Sequence, residues 1–209
     1  MVQQTPGVYI IEKNAFPNSV VEVATAVPVF IGHTKQATYD NRDLSNKPIR
    51  VTSFSEFELY FGGGYFASFV LKSEAEAETD KESRLVESIP IQLWDKTTQY
   101  LVPTGKLFYL YNSIRLFYQN GGATCYIISI GSYQSGDSTK DDFVKAIDAL
   151  VYESEPTMIV CPDALRLDEP DYYTVATTML AHCATYLNRI ALIDVYYGAV
   201  QSRGTLRKR

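Results

Sequence analysis

The chain has 209 residues, 46% hydrophobic and 21% charged, which suits one large domain or a domain with an appendage. Its net charge of −5 lacks the basic surplus of a nucleic-acid groove, and no apolar run reaches the length of a membrane span. The first residues lack the basic-then-apolar layout of a signal peptide, so synthesis in the cytoplasm is expected.

Residues 1–25 show no helical period. Val8, Ile10 and Glu12 alternate with Tyr9 and Ile11 as in an extended strand, bracketed by Pro6 and Pro17. Such a strand has no hairpin partner, so it must pair either elsewhere in its own fold or with a neighbouring subunit. Residues 26–31 predict a short apolar strand closed by Gly32, and residues 35–47 a polar loop. Residues 49–51 predict a second strand. Ser53 or Ser55 can cap a helix over residues 56–61, stopped by Gly62-Gly63-Gly64.

Residues 65–106 break this rhythm. Residues 73–87 are acidic and poor in apolar side chains, which predicts a surface insertion. Residues 89–102 can form a small strand pair, with Pro90 and Pro103 arguing against a central position.

In residues 107–130, Leu107, Leu110, Tyr111, Ile114, Phe117 and Tyr118 share one helix face. Asn120-Gly121-Gly122 stops that helix, and residues 125–130 follow as a strand covered on both faces. Phe117 and Tyr118 are expected to pack beside the Gly121-Gly122 turn. Ser138 and Thr139 stand three residues before Asp141 and Asp142, a capping pattern, and Phe143, Ile147, Leu150 and Val151 form the next apolar stripe. Residues 157–161 predict a buried strand. Pro170 and Asp171 open a helix on which Tyr172, Ala176, Met179, Leu180, Cys183 and Leu187 share a face. Residues 190–195 predict a last buried strand. The alternation predicts parallel crossovers. The fold class expected is α/β: a mixed, largely parallel sheet flanked by helices, with an extended N-terminal arm and a small acidic insertion.

Asp163 and Asp194 both follow predicted strands, where open α/β sheets bind ligands, but a strand-end Asp is more often a helix cap or turn former. Cys161 and His182 read as a buried thiol and a partly exposed imidazole rather than a nucleophile and base. Gly62-Gly63-Gly64 lacks the Lys-Ser/Thr of a phosphate loop, and Gly121-Gly122 precedes a strand, the wrong order for a dinucleotide site. Cys125, Cys161 and Cys183 have no zinc spacing and are expected to be reduced. Catalytic residues, metal ligands and cofactors are therefore all expected to be absent. The 16 Tyr and 10 Phe fit a Tyr-rich core and an association surface equally well. Arg203, Arg207, Lys208 and Arg209 read as a solvated basic end.

Particular strings resemble contractile tail sheath proteins, in the family's order. They are Thr5-Pro6-Gly7-Val8-Tyr9-Ile10, Phe16-Pro17-Asn18-Ser19-Val20, and Thr25-Ala26-Val27-Pro28-Val29-Phe30-Ile31-Gly32. Next come Asn46-Lys47-Pro48 through Phe61-Gly62-Gly63, the Phe117-Tyr118-Gln119-Asn120-Gly121-Gly122 turn running into Cys125-Tyr126-Ile127-Ile128, and the 158–163 and 189–194 segments. Tyr196-Tyr197-Gly198 departs from the family, which more often has Pro-Asp/Glu-Gly there, and family members usually continue through a second half.

The resemblance implies an inter-subunit arm at 1–25 carrying Thr5, Pro6, Gly7, Val8, Tyr9 and Ile10. It implies a sheath core at 26–64 and 107–209, the latter lacking a following half, with a surface insertion at 65–106. Ile114, Phe117, Tyr118, Gly121 and Gly122 would be packing and turn residues of the core. The implied partners are further copies in six-fold rings, an inner tube protein, and baseplate and terminator proteins, without nucleic acid or membrane insertion. The subunit would be made in the bacterial cytoplasm and assembled into a phage tail-like or injection particle. The alternatives are a small hydrolase- or phosphatase-like enzyme using Asp163 and Asp194, or a baseplate-associated binding module.

Overall fold

The computed structural model describes residues 26–73 and 89–196. The arm residues Thr5 to Ile10, the acidic stretch 74–88 and the basic end 197–209 lie outside the described residues. A five-stranded mixed sheet forms the centre. Its strands are β1 (Pro28–Thr34), β4 (Ile49–Val51), β8 (Cys125–Ser132), β9 (Met158–Val160) and β10 (Ile190–Leu192). Their order is β10-β9-β1-β8-β4, parallel throughout except for β4, which runs antiparallel to β8 at one edge. The expected α/β class is therefore observed.

Helices cover both faces. On one face α1 (Phe54–Phe61) and α2 (Leu110–Gln119) pack over Phe30, Val51, Cys125 and Ile127. On the other, α3 (Lys140–Asp148) and α4 (Glu169–Thr185) pack over Val29, Ile31, Tyr126, Ile128 and Ile159. This division follows from strand alternation: successive side chains of β1 and β8 point to opposite faces.

Local sequence explains the helix ends. Ser53 caps α1, its hydroxyl accepting the Glu56 N–H at 3.2 Å, and Gly62 closes that helix by donating its N–H to Glu58. At α3 the Asp142 carboxylate accepts from both the N–H and the hydroxyl of Thr139, at 2.8 and 3.0 Å. At the end of α2, Gly121 has φ of 84°, a conformation costly for any residue with a Cβ, and Gly122 donates its N–H to Phe117 at 2.9 Å.

Several sequence expectations need correction. The first strand does not close at Gly32 but runs on to Thr34 through a register shift between Gly32 and His33. Residues 35–47 are not all loop: β2 (Thr38–Tyr39) and β3 (Arg42–Asp43) form a tiny hairpin whose turn residues, Asp40 and Asn41, both have positive φ. Helix α2 begins at Leu110, not at Leu107. On α4 the buried positions are Tyr172, Val175, Ala176, Met179 and His182, while Leu180 is 55% and Leu187 is 90% exposed. Val151 is likewise exposed, because the chain tightens into a 3-10 turn at Ala149–Tyr152 that turns it away from the core. The last strand is not buried: β10 is an edge, with Ile190 and Leu192 both about half-exposed.

The insertion builds its own sheet, β5 (Phe69–Ser73), β6 (Ile89–Gln92) and β7 (Thr98–Pro103), in the order β5-β7-β6 and wholly antiparallel. The strand pair read from the sequence is thus three strands, with β7 central and Pro103 at its end opposite Phe69. The β6–β7 turn is fixed by Asp95, whose carboxylate accepts from the N–H and hydroxyl of Thr97 at 2.9 and 2.6 Å, and by Lys96 at φ of 66°. Trp94 projects from that turn, 97% exposed.

Candidate functional site

In chain order the parallel strands are β1, β8, β9 and β10, yet β8 lies on one side of β1 and β9 on the other. The connections therefore diverge at the carboxyl ends of β1 and β9, the place where open α/β sheets gather their polar residues. Two short segments meet there. Gly32-His33-Thr34 ends β1, and Cys161-Pro162-Asp163 follows β9, with Pro162 starting a 3-10 turn over Pro162–Arg166.

Asp163 is 1% exposed and joins three elements. Its Oδ2 accepts the His33 N–H at 2.7 Å and lies 3.2 Å from His33 Nδ1. Its Oδ1 accepts the N–H groups of Tyr109 and Leu110 at 2.7 and 3.2 Å. Helix α2 has no cap of its own, since Tyr109 at its N-cap position makes no side-chain cap bond. Asp163 supplies that cap from 54 residues away, and its negative charge suits the helix's N-terminal dipole. Gly32 makes the approach possible, for a Cβ there would stand 2.6 Å from Asp163 Oδ2.

His33 is also 1% exposed, and its second nitrogen, Nε2, lies 2.5 Å from Ser138 Oγ. These partners assign the ring proton to Nδ1, where it is donated to Asp163, and leave Nε2 to accept from the serine. The imidazole leans on Phe108, with ring centroids 5.0 Å apart. Phe108, Tyr65 and Tyr133 form a three-ring cluster above it, with centroids 4.8 to 5.5 Å apart. Burial pushes the Tyr133 phenol well above its ordinary pKa. The Arg166 guanidinium lies 4.3 Å over the Phe108 ring and reaches Asp137 at 3.1 Å. Lys106 meets the same Asp137 oxygen at 2.6 Å, and its hydrogen bond holds that carboxyl below its usual pKa.

The sequence-derived candidates fall out differently. Asp163 is at the switch point, but Asp194 is exposed and uses its backbone carbonyl to accept from the Tyr172 hydroxyl. The hydrogen bonds of the two aspartates have no partner in common. Cys161 is buried, its thiol pushed far up by desolvation. His182 is 8% exposed rather than partly exposed; its Nε2 accepts from Arg189 Nη1 at 2.7 Å, while the same guanidinium binds the carbonyls of Leu150 and Glu153. A water-sized cavity of about 10 Å³ lies beside Cys161, Tyr172, Met179 and Asp194. Among the described residues no group of three His, Cys, Asp or Glu side chains is placed to hold a metal ion. Ile114 is fully buried; Phe117 and Tyr118 are half-buried, the Phe117 ring lying against Gly122 and the Tyr118 hydroxyl donating to the Val51 carbonyl at 3.3 Å.

His33 escaped the sequence reading, and Ser138 was expected with Asp141 as a helix cap, a role that Thr139 and Asp142 take instead. His33 and Ser138 lie 105 residues apart, and His33 is 130 residues from Asp163, so no local spacing links them. The only available signal was positional: a His next to the last residue of the first parallel strand and an Asp just past the third.

No protein-family model matches the chain, and no curated protein matches it. No helix among the described residues is long and apolar enough to cross a membrane.

Proposed function

We propose that the chain is a structural subunit of a contractile sheath. It would polymerise with copies of itself as stacked six-fold rings around an inner tube, bounded by baseplate and terminator proteins. Contraction would drive the tube through a target envelope. The subunit would be made in the bacterial cytoplasm and built into a phage tail-like or injection particle.

The observation that carries this reading is the side of the central sheet that the described residues leave uncovered. Register places Pro28, Met158 and Ile190 in one row and Phe30, Val160 and Leu192 in the next, all on the face of α1 and α2. Those helices cover the β1, β8 and β4 end, leaving Ile190 55% and Leu192 47% exposed. An apolar edge strand with open backbone groups favours pairing with another chain. The sheath-like strings supply the kind of partner: a second copy contributing its Pro6-Gly7-Val8-Tyr9 arm. Strand pairing of this type holds a lattice together while the linkers hinge, so subunits can move as rigid bodies on energy stored at assembly.

Deleting residues 1–20 from a full-length parent tests this. The variant should stay folded and monomeric and form no tubes by electron microscopy. Normal sheaths from the deletion would refute the role of the arm. A stoichiometric bound metal would favour the hydrolase or phosphatase alternative, and a discrete low-order complex would favour a baseplate-associated module.

A further inference from the structure

We propose that Ser138 is a nucleophile, activated by His33 and Asp163, that accepts acyl or phosphonyl groups from small aryl esters. The three groups stand in the order carboxylate, imidazole, hydroxyl, with 3.2 Å from Asp163 Oδ2 to His33 Nδ1 and 2.5 Å from His33 Nε2 to Ser138 Oγ. Such a constellation is recognised by its geometry and roles, not by chain order.

Each member is held as its role requires. Asp163 is fixed by three backbone N–H groups from β1 and the start of α2, so its orientation does not depend on the histidine ring. Its bond to Nδ1 selects the tautomer in which Nε2 faces the serine and can take a proton. The His33 ring is further held against Phe108. Ser138 is the outermost member, half-buried where His33 and Asp163 are each 1% exposed. Its chain neighbour Asp137 binds Arg166, which lies on Phe108, and Phe108 packs against the His33 ring and against Tyr65 and Tyr133. Tyr65 is 41% exposed and offers a planar aromatic surface to an aryl leaving group. Lys106 and Arg166 both pair with the carboxylate of Asp137, the residue next to the serine.

The step balances without any co-reactant but water. Ser138 Oγ attacks the ester carbonyl carbon while its proton passes to His33 Nε2, and Asp163 stabilises the imidazolium. The tetrahedral intermediate breaks its bond to the aryloxide, which leaves with the proton from Nε2. Water, deprotonated by the same nitrogen, then releases the acid and restores the serine. With a fluorophosphonate the Oγ–P bond forms, fluoride leaves with the proton, and the adduct persists.

The inference does not rest on assembly, so it is tested on the unassembled full chain. The chain is incubated with a fluorophosphonate probe, folded and after denaturation, and adducts are located by peptide mass spectrometry. Ser138 should be the dominant adduct in the folded chain, forming about a hundredfold faster than on the denatured chain, as general-base assistance supplies. Ser138→Ala should remove the adduct. His33→Asn, shown by its melting curve to be folded, should slow it by a similar factor. An unlabelled Ser138 in the folded chain, or equal rates folded and denatured, overturns the proposal even if His33→Asn fails to fold. An adduct whose rate is indifferent to a folded His33→Asn overturns it too, since a purely packing role for the histidine predicts that result.

Discussion

The Asp163 carboxylate fills the space that a side chain on Gly32 would take. A Cβ at Gly32 would lie 2.6 Å from Oδ2, 3.0 Å from Cγ and 3.1 Å from Leu110 Cβ. Two segments far apart in the chain are thus fitted to each other, one by lacking a side chain and the other by supplying a carboxylate. Asp163→Ala would leave the N–H groups of His33, Tyr109 and Leu110 without their acceptor, at a cost of about 3–5 kcal/mol. Gly32→Ala should cost about 1–3 kcal/mol through overpacking. Urea denaturation checks both, and a loss under about 1 kcal/mol for Asp163→Ala would contradict its role as the cap of α2.

At the far end of α2 the fit is between Phe117 and Gly122. A Cβ on Gly122 would stand 2.5 Å from the ring. Because Phe117 is half-buried, Phe117→Ala should cost about 2–3 kcal/mol, less than the 2–5 kcal/mol expected for the fully buried Ile114→Ala. Chemical denaturation of the two variants side by side decides whether that order holds.

His182 gives a pH dependence of definite sign. Desolvation, with the adjacent Arg189 charge, lowers its pKa below 6.5 in the folded state. The unfolded chain therefore takes up the proton first. The stability this group contributes is complete above about pH 6.5 and is lost as pH falls towards the depressed folded value. Melting temperatures should decline across that window in the parent, and the decline should be shallower in His182→Gln. Losses below about pH 4.5 belong to carboxylates such as Glu155, which the Tyr126 hydroxyl and then Arg50 hold low. An identical profile from pH 7 to 5 in parent and variant would show that His182 is not the group responsible.

Ile190 and Leu192 point from an edge strand on a face that no helix among the described residues covers. Replacing Leu192 with Lys should lower the melting temperature by no more than about 2–4 °C, since a half-exposed edge residue contributes about 1 kcal/mol or less. In an assembling parent the same change should abolish tubes, because it places a charge in the proposed pairing surface. Tubes of normal length by negative-stain microscopy would remove β10 from the assembly surface.

What could be read from the sequence was governed by range. Helix α1 with its Ser53 and Gly62 ends, the Thr139–Asp142 cap and the β8 strand are set by residues within four or five positions, and all are where the pattern places them. Gly32 misled because a glycine that ends a strand and one that admits a distant carboxylate look alike in the sequence. The 190–195 segment misled because an apolar run records a preference for burial without saying which neighbour provides it. The Asp163 site was legible only in part: its aspartate could be expected as a cap, but its partners depend on a crossover that puts β9 beside β1.

Trp94 is the chain's one tryptophan, and it stands in solvent at the tip of the β6–β7 turn. Its fluorescence is therefore nearly blind to unfolding, because the indole is already bathed in water in the native state. The same placement makes it a built-in optical probe of the insertion. Any molecule that settles on the tip would shift the emission to the blue, with no label added and no background from a second indole.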